Sequence, residues 1–173
     1  MRRSLVLAAL AVAAIAIVPS QAEASPYVRY GIQDDAWLEF GPGSLEDRLD
    51  RLQDMGVDLA RVTLNWNTME AKRGKVDWRR SDELLRGLHA RKIEPVVTLY
   101  GAPRWSNKGR GPQWAPTSGG AFASFSKRVA QRYPFVRRFL IWNEPNQARW
   151  LRPTTAATYV TKLLNPAYRA IHA

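Results

Sequence analysis

The chain has 173 residues, of which 46% are hydrophobic, and this share argues against a disordered protein. It contains no cysteine, so no disulfide framework can stabilise it. Its formal charge is +11, with 20 arginines against 6 lysines, a balance that would suit nucleic acid or an acidic polysaccharide. Because the arginines are spread over the predicted helices and loops, we do not expect nucleic-acid binding.

The first 24 residues are predicted to be a secretory signal peptide. Arg2 and Arg3 precede an apolar run over residues 5–18, and Ala22-Glu23-Ala24 has the small-x-small pattern of a cleavage site. A membrane anchor is the alternative, but the apolar run is shorter than the ~20 residues of a span. We therefore predict cleavage after Ala24, secretion without a stable membrane anchor, and one domain over residues 25–173.

Four strands, each followed by a helix, are predicted in this domain. The first helix begins at Ser44, with Asp47 as its capping-box partner, and ends at Gly56. Hydrophobic patterning predicts strands at 27–33, 57–64, 93–99 and 139–142, and further helices at 81–91, 120–133 and 154–173, the last interrupted near Pro166. This alternation predicts an α/β fold with a parallel sheet.

The loops that follow the strands are long, whereas those that follow the helices are short. The long loops cover residues 65–80, 100–119 and 143–153. In α/β barrels the active site lies at the carboxyl ends of the strands, where the long loops are. We therefore expect the functional residues at that end of the sheet.

Glu144 follows the fourth strand directly and is flanked by Asn143 and Pro145. Two carboxyl groups are needed to cleave a glycosidic bond, and one of them donates a proton to the leaving oxygen. A carboxyl at the end of an apolar strand suits that role. No Asp or Glu follows Glu144 in the sequence. A second carboxylate must therefore come from earlier in the chain, from another chain or from a further part of the protein.

The segment Trp142-Asn143-Glu144-Pro145-Asn146 is similar to the signature of clan A glycoside hydrolases, especially the family 5 cellulase-like and family 39 xylosidase-like members. The resemblance implies a TIM-type (β/α)8 barrel, of which this chain supplies about the first four βα units. It implies that Glu144 is the acid/base and that Asn143 contacts the 2-hydroxyl of a carbohydrate substrate. It implies no metal and no cofactor.

The strand ending Arg61-Val62-Thr63-Leu64-Asn65-Trp66 resembles the second strand of the clan, in which an arginine supports the nucleophile. Arg61 is the matching residue, and a buried structural ion pair is the alternative for it. The clan's nucleophile is a Glu at the end of the seventh strand, and this sequence has no counterpart. The resemblance thus implies a retaining hydrolase of β-glycosides or polysaccharides without its nucleophile half, inactive as it stands.

Substrate-binding residues are expected among the polar and aromatic side chains at the strand ends. Indole rings can cover the apolar face of a sugar, so we expect stacking at Trp66, Trp105 and Trp114. For Trp78 and Trp150 a core-capping role weighs as much as stacking. Asn65, Asp34 and Asp35 are further candidates, although both aspartates suit a turn or helix-lead role equally well.

Two other functions remain open at the sequence level. A half-barrel could bind carbohydrate without cleaving it, or associate with a second copy through its exposed edge strands. A basic surface that binds anionic polymers is the third possibility.

Overall fold

The computed structural model describes residues 27–173, so the predicted signal peptide lies outside the described part of the chain. Four strands form one parallel sheet, and their order in the sheet is their order in the sequence. The strands are β1 (Gly31–Ile32), β2 (Leu59–Asn65), β3 (Glu94–Tyr100) and β4 (Arg138–Ile141). The predicted α/β class with a parallel sheet is confirmed.

Helices connect the strands and follow the last one. They are α1 (Asp35–Phe40), α2 (Leu45–Asp54), α3 (Trp66–Met69), α4 (Arg79–Ala90), α5 (Gly119–Arg132), α6 (Ala156–Tyr159) and α7 (Asn165–Ile171), with a 3-10 turn at Arg104–Ser106 and a π-helical turn at Val160–Leu164. Within residues 27–173, no helix is both long and apolar enough to cross a bilayer.

The capping box predicted at Ser44 and Asp47 is present at the start of α2. The Asp47 amide donates to the Ser44 hydroxyl at 3.1 Å, and the Ser44 amide donates to the Asp47 carboxylate at 2.8 Å. Hydrogen bonds from the backbone and side chain of Ser44 hold the pKa of Asp47 below its ordinary value. The sequence therefore fixes where α2 begins.

The first strand is shorter than predicted. Of residues 27–33, only Gly31 and Ile32 pair with β2. The tyrosines and valine before them bury little surface, since Tyr27 is 88%, Val28 48% and Tyr30 64% exposed. Polar contacts hold this segment instead: the Tyr30 carbonyl accepts from the amides of Asp58 and Leu59, the Tyr30 amide donates to the Asp58 carboxylate, and Arg29 pairs with Glu94.

The two faces of the sheet have different surroundings. Ala60, Val62 and Leu64 of β2 are buried among the helices, and the two larger side chains, Val62 and Leu64, each contribute about 1.5–3 kcal/mol relative to exposure. The alternate residues lie on the opposite face, called the inner face below. The inner face carries Arg61, Thr63, Asn65, Thr98 and Leu140, which the strand register places side by side. Leu140 is 39% exposed there, so the inner face is open among the described residues.

The last helical segment is interrupted as predicted. Pro166 lies in the first turn of α7 and has no amide hydrogen, and the turn before it widens to π-helical geometry. The segment packs against the start of α5 so closely that a Cβ at Gly119 would lie 2.7 Å from the Pro166 Cγ. Glycine is therefore required at that contact.

Candidate active site

Arg61 connects all four strands at the inner face. Its Nε donates to the Thr98 hydroxyl at 3.0 Å, its Nη1 to Gln33 Oε1 at 2.8 Å and its Nη2 to Asn143 Oδ1 at 3.0 Å. All three acceptors are neutral, so within residues 27–173 the alternative of a structural ion pair does not hold. The guanidinium is half-buried and keeps a full positive charge that a carboxylate could neutralise.

Asn143 is oriented by this contact. Because its Oδ1 accepts from Arg61, its Nδ2 points away from that guanidinium, and in the described part of the chain it donates to no protein group. A half-buried amide with two free donor hydrogens can bind a hydroxyl oxygen of a ligand. The arrangement suits the hydroxyl-binding role that the resemblance implies for Asn143.

Glu144 follows Asn143 at the carboxyl end of β4. Its side chain is 46% exposed, and its Oε2 lies 4.0 Å from Arg149 Nη2. Carboxyls that donate protons near neutral pH are usually held in apolar or crowded surroundings. Within residues 27–173, the Glu144 carboxyl is more exposed to solvent than such a carboxyl, and it lies beside the Arg149 guanidinium.

The backbone around these two residues is unusual. Trp142 has a φ of +70° and Glu144 a φ of +35°, and residues other than glycine rarely adopt such left-handed backbone conformations. For a residue as bulky as tryptophan such a conformation is strained, at a cost of order 1–3 kcal/mol. Strain of this kind concentrates at functional sites, and here it flanks Asn143 on both sides.

An aromatic cluster holds the strained segment. Trp142 is 2% exposed, its indole donates to the Trp150 carbonyl at 2.6 Å, and its ring meets Tyr100 edge-on at 5.0 Å between centroids. Tyr100 also meets the Trp150 ring at 5.4 Å, and burial raises the pKa of its hydroxyl. The Trp150 Nε1 is buried without a partner among the described residues. Tyr100 was not predicted from the sequence, although its place at the end of β3, in phase with Thr98, could have identified it.

Trp66 does not stack on a ligand, and its prediction as a sugar platform was wrong. Its side chain is 0% exposed and packs between Trp105, Phe122 and Phe125. The reason is the alternation along β2: Trp66 follows Asn65 and is in phase with Val62 and Leu64, whose side chains face the helices and not the inner face. Its Nε1 donates to the carboxylate of Glu70 at 2.8 Å.

Glu70 is a buried charge that sequence reasoning missed. It is 2% exposed and accepts from Trp66, from the Gly74 amide at 2.7 Å and from Arg128 Nη2 at 2.6 Å, while its carbonyl accepts from the Trp105 indole at 2.8 Å. This network joins the loop after β2 to α5. Trp105 is half-buried and its indole nitrogen is occupied, so only part of its ring remains for a ligand.

Trp114 lies in the loop after β3 with a guanidinium against its ring. The Arg110 Cζ is 4.2 Å from the ring centroid, and the Arg152 Cζ is 5.9 Å from it. Backbone hydrogen bonds between Ala115 and Arg152 and between Arg152 and Gln113 tie this loop to the loop after β4. The half-buried indole of Trp114 therefore lies where the loop after β3 meets the loop after β4, the loop that begins with Asn143 and Glu144.

The two aspartates have structural contacts. Asp34 is the N-cap of α1 and accepts from the Trp37 amide at 2.8 Å. Asp35 accepts from the amide of Thr63 at 2.8 Å and from its hydroxyl at 2.7 Å. These contacts match the turn and helix-lead alternative for both residues.

A cleft opens beside the end of β2, and Glu144 is not among the residues that line it. Its volume is about 670 Å³, and Asp35, Thr63 and Asn65 line it on the side of the sheet. Asn65 is exposed at the end of β2, where it lines this cleft, and it is not among the three acceptors of Arg61.

No family model matches the chain, and no curated protein is significantly similar to it in sequence. Solved structures do match. A β-glycosidase from Pyrococcus horikoshii superposes with a TM-score of 0.59 at 16% identity, covering 83% of this chain and 44% of that one. A family 39 glycoside hydrolase from Bacteroides cellulosilyticus gives 0.55 at 17%, covering 82% and 28%, and a family 1 β-glucosidase from Thermotoga maritima gives 0.51 at 17%, covering 83% and 42%.

These neighbours are clan A glycoside hydrolases. The described chain has the fold of part of a clan A glycosidase barrel. It spans 28–44% of the length of these three neighbours, as expected for a half-barrel. The predicted resemblance and fold class are thereby confirmed, while the roles of individual residues stay predictions.

Proposed function

We propose that this half-barrel is the acid/base half of a retaining β-glycosidase. The observation that carries the proposal is the hydrogen bond from Arg61 to Asn143, immediately before Glu144 and within a strained backbone segment. A network that orients an amide beside an exposed carboxyl, at the carboxyl ends of parallel strands, suits the binding and protonation of a glycoside.

In the proposed reaction Glu144 protonates the glycosidic oxygen as the bond from that oxygen to the anomeric carbon breaks. A carboxylate attacks the same carbon and forms a covalent glycosyl ester. Glu144, now ionised, then removes a proton from water. The water oxygen bonds to the anomeric carbon and displaces the carboxylate, so both carboxyl groups return to their starting state. Asn143 would hold the 2-hydroxyl, and Arg61 would bind the attacking carboxylate.

The attacking carboxylate is assigned to a part of the enzyme outside residues 27–173. Asp35 is engaged by Thr63, Glu70 is buried, and Asp34 caps α1, so none of these acids at the same end of the sheet is free to attack. Residues 1–24 would direct the protein to secretion, and the sequence of the mature amino terminus, expected to start at Ser25, tests that part.

Turnover of aryl β-glycosides tests the proposal. We expect negligible hydrolysis by this chain alone, because one of two carboxyl groups is missing. Robust turnover that Glu144→Gln abolishes would show that the nucleophile lies within this chain. Robust turnover that survives Glu144→Gln would disprove the role of Glu144 as well.

A carbohydrate-binding or self-associating module is the second candidate. The open inner face, with Leu140 39% exposed, and the unpaired outer edges of β1 and β4 favour it. Light scattering over a range of protein concentrations, together with titration of oligosaccharides, separates the two. A monomer without sugar affinity would remove this candidate.

A further inference from the structure

Charge is unevenly divided along the described chain. Residues 27–94 contain twelve Lys and Arg against thirteen Asp and Glu, whereas residues 95–173 contain twelve against one, Glu144. The excess is therefore confined to the part that includes β4 and the loops after β3 and β4. Such an asymmetry indicates an anionic partner for that part.

Ion pairs neutralise three of the cations in residues 95–173 outside the two loops. The helical Arg128 and Arg132 are bound by Glu70 and Asp82, and Arg138 of β4 is bound by Glu94. Five exposed cations lie in the two loops and are called the cationic rim: Arg104, Lys108, Arg110, Arg149 and Arg152. In the described chain the only carboxylate in an ion pair with any of them is Glu144, at 4.0 Å from Arg149.

The rim reaches the candidate active site at Arg149, whose Nη2 lies 4.0 Å from the Glu144 carboxylate. Arg110 and Arg152 both contact the Trp114 ring, and Arg152 Nε donates to the Ala148 carbonyl at 2.9 Å, next to Arg149. A continuous path of cations thus leads from the loop after β3 to Glu144. Fixed exposed cations in this path would bind anionic groups that approach the same site.

Arg110 is prepared for such a contact. Its guanidinium lies flat enough on Trp114 to approach the ring centroid to 4.2 Å, and in the described chain its N–H groups donate to no protein acceptor. Stacking restricts the side chain, so less conformational entropy is lost when its N–H groups bind a carboxylate or sulfate.

We propose that the glycan bound beside Glu144 is acidic, and that the cationic rim binds its carboxylate or sulfate groups. This inference rests on the proposed function, because it names the substrate class of that same site. A glycan fits better than a nucleic acid because the linkage beside Glu144 must be uncharged. Each linkage of a nucleic acid carries a phosphate, which the Glu144 carboxylate would repel.

Calorimetric titration of the chain with short oligosaccharides tests the inference. The probes are trigalacturonate, 6-sulfated cellotriose, neutral cellotriose and a short single-stranded DNA, each at low and at physiological salt. We expect an acidic trimer to bind about tenfold or more tightly than cellotriose, with a salt dependence that the neutral trimer lacks. The two acidic trimers decide between carboxylate and sulfate.

The variant Arg110→Gln/Arg152→Gln should weaken binding of the acidic trimer about tenfold or more and leave cellotriose unchanged. The matched control, Arg137→Gln/Arg169→Gln, removes the same charge from exposed arginines outside the rim and should change affinity less than about twofold. Equal losses in the two variants would overturn the inference, because net charge alone would then explain binding.

The remaining outcomes also decide. If cellotriose binds as tightly as the acidic trimers, the acidic substrate class is wrong and the proposed glycan site survives. If DNA binds more tightly than either acidic trimer through the same two arginines, the inference is overturned in favour of nucleic acid. If no oligosaccharide binds, both the inference and the glycan site fail.

Discussion

Arg61 and Arg128 are both part-buried, but only Arg128 has a carboxylate partner among the described residues. Arg128 faces the Glu70 carboxylate at 2.6 Å, whereas the three acceptors of Arg61 are neutral. Burying a guanidinium part-way without an anion is costly, so the first arrangement stabilises the fold and the second leaves a charge to be matched. Under the proposed function the matching charge is the nucleophile carboxylate.

The Glu70 network predicts a large loss of stability from a small change. Glu70→Gln keeps the shape but removes the charge that Arg128, Trp66 and Gly74 contact, so we expect a loss of about 2–4 kcal/mol in the free energy of unfolding. Urea unfolding measures it. The control Glu46→Gln alters a carboxylate that is 65% exposed, and Arg91 keeps its second pair with Asp50, so the change should cost less than about 1 kcal/mol. Equal losses would contradict the structural role of Glu70.

Tyr133 predicts a loss of stability in alkali. Burial raises its pKa to about 12, with hydrogen bonds to Ser81 at 2.8 Å and Asp82 at 3.0 Å. Between the unfolded value of about 10 and this folded value, the folded chain keeps a proton that the unfolded chain releases. Stability is therefore complete below about pH 10 and falls above it, by at most about 1.4 kcal/mol per pH unit.

The variant Tyr133→Phe cannot ionise, so its stability should fall less steeply above pH 10 than that of the parent. Tyr168→Phe alters a tyrosine that is 59% exposed and should leave the parent slope unchanged. Urea unfolding at several alkaline pH values provides the comparison. Identical slopes in all three proteins would show that Tyr133 does not control this transition.

At the scale of elements, the two faces of the sheet make opposite predictions for neighbouring positions. Leu99 of β3 is 0% exposed on the helix side, while Leu140 of β4 is 39% exposed on the inner face. We expect Leu99→Thr to cost about 2–5 kcal/mol and Leu140→Thr less than about 1 kcal/mol, both measured by urea unfolding. A large cost at Leu140 that grows with protein concentration would show instead that a second copy covers the inner face.

Elements with strong patterning could be predicted from the sequence. The Ser44–Asp47 capping box, the apolar periodicity of the long helices and the continuous apolar strand β3 each depend on neighbouring residues only. The first strand was overestimated because its pairing depends on burial, which Tyr27 and Tyr30 do not achieve. Local patterning cannot report that.

The candidate site was predictable in part for the same reason. The order Asn143-Glu144 at a strand end is local, and period 2 placed Arg61 on the face opposite Val62. The contact between Arg61 and Asn143 joins residues 82 positions apart and needed the assembled sheet. The prediction for Trp66 was wrong because Trp66 is in phase with the buried Val62 and Leu64, on the helix side of the sheet. Glu70 was missed because its cationic partner, Arg128, lies 58 positions away in the sequence.

At the scale of the whole molecule, the described residues form an open sheet with one covered and one uncovered face. The glycosidases that share this fold extend well beyond the part that it matches, since this chain covers only 28–44% of them. The uncovered face holds Arg61, Asn143 and the residues beside Glu144. The central proposal is therefore that Glu144 is a functional acid whose partner carboxylate lies outside residues 27–173.

Replacing the absent carboxylate with a small one tests this claim most directly. Formate can attack the anomeric carbon of an aryl β-glycoside while Glu144 protonates the departing oxygen, a reaction that needs no second protein carboxylate. We predict no release of the phenol without formate, release that increases with formate concentration, and loss of that release in Glu144→Gln. Release without formate, no release with it, or release that Glu144→Gln leaves intact would each contradict the account.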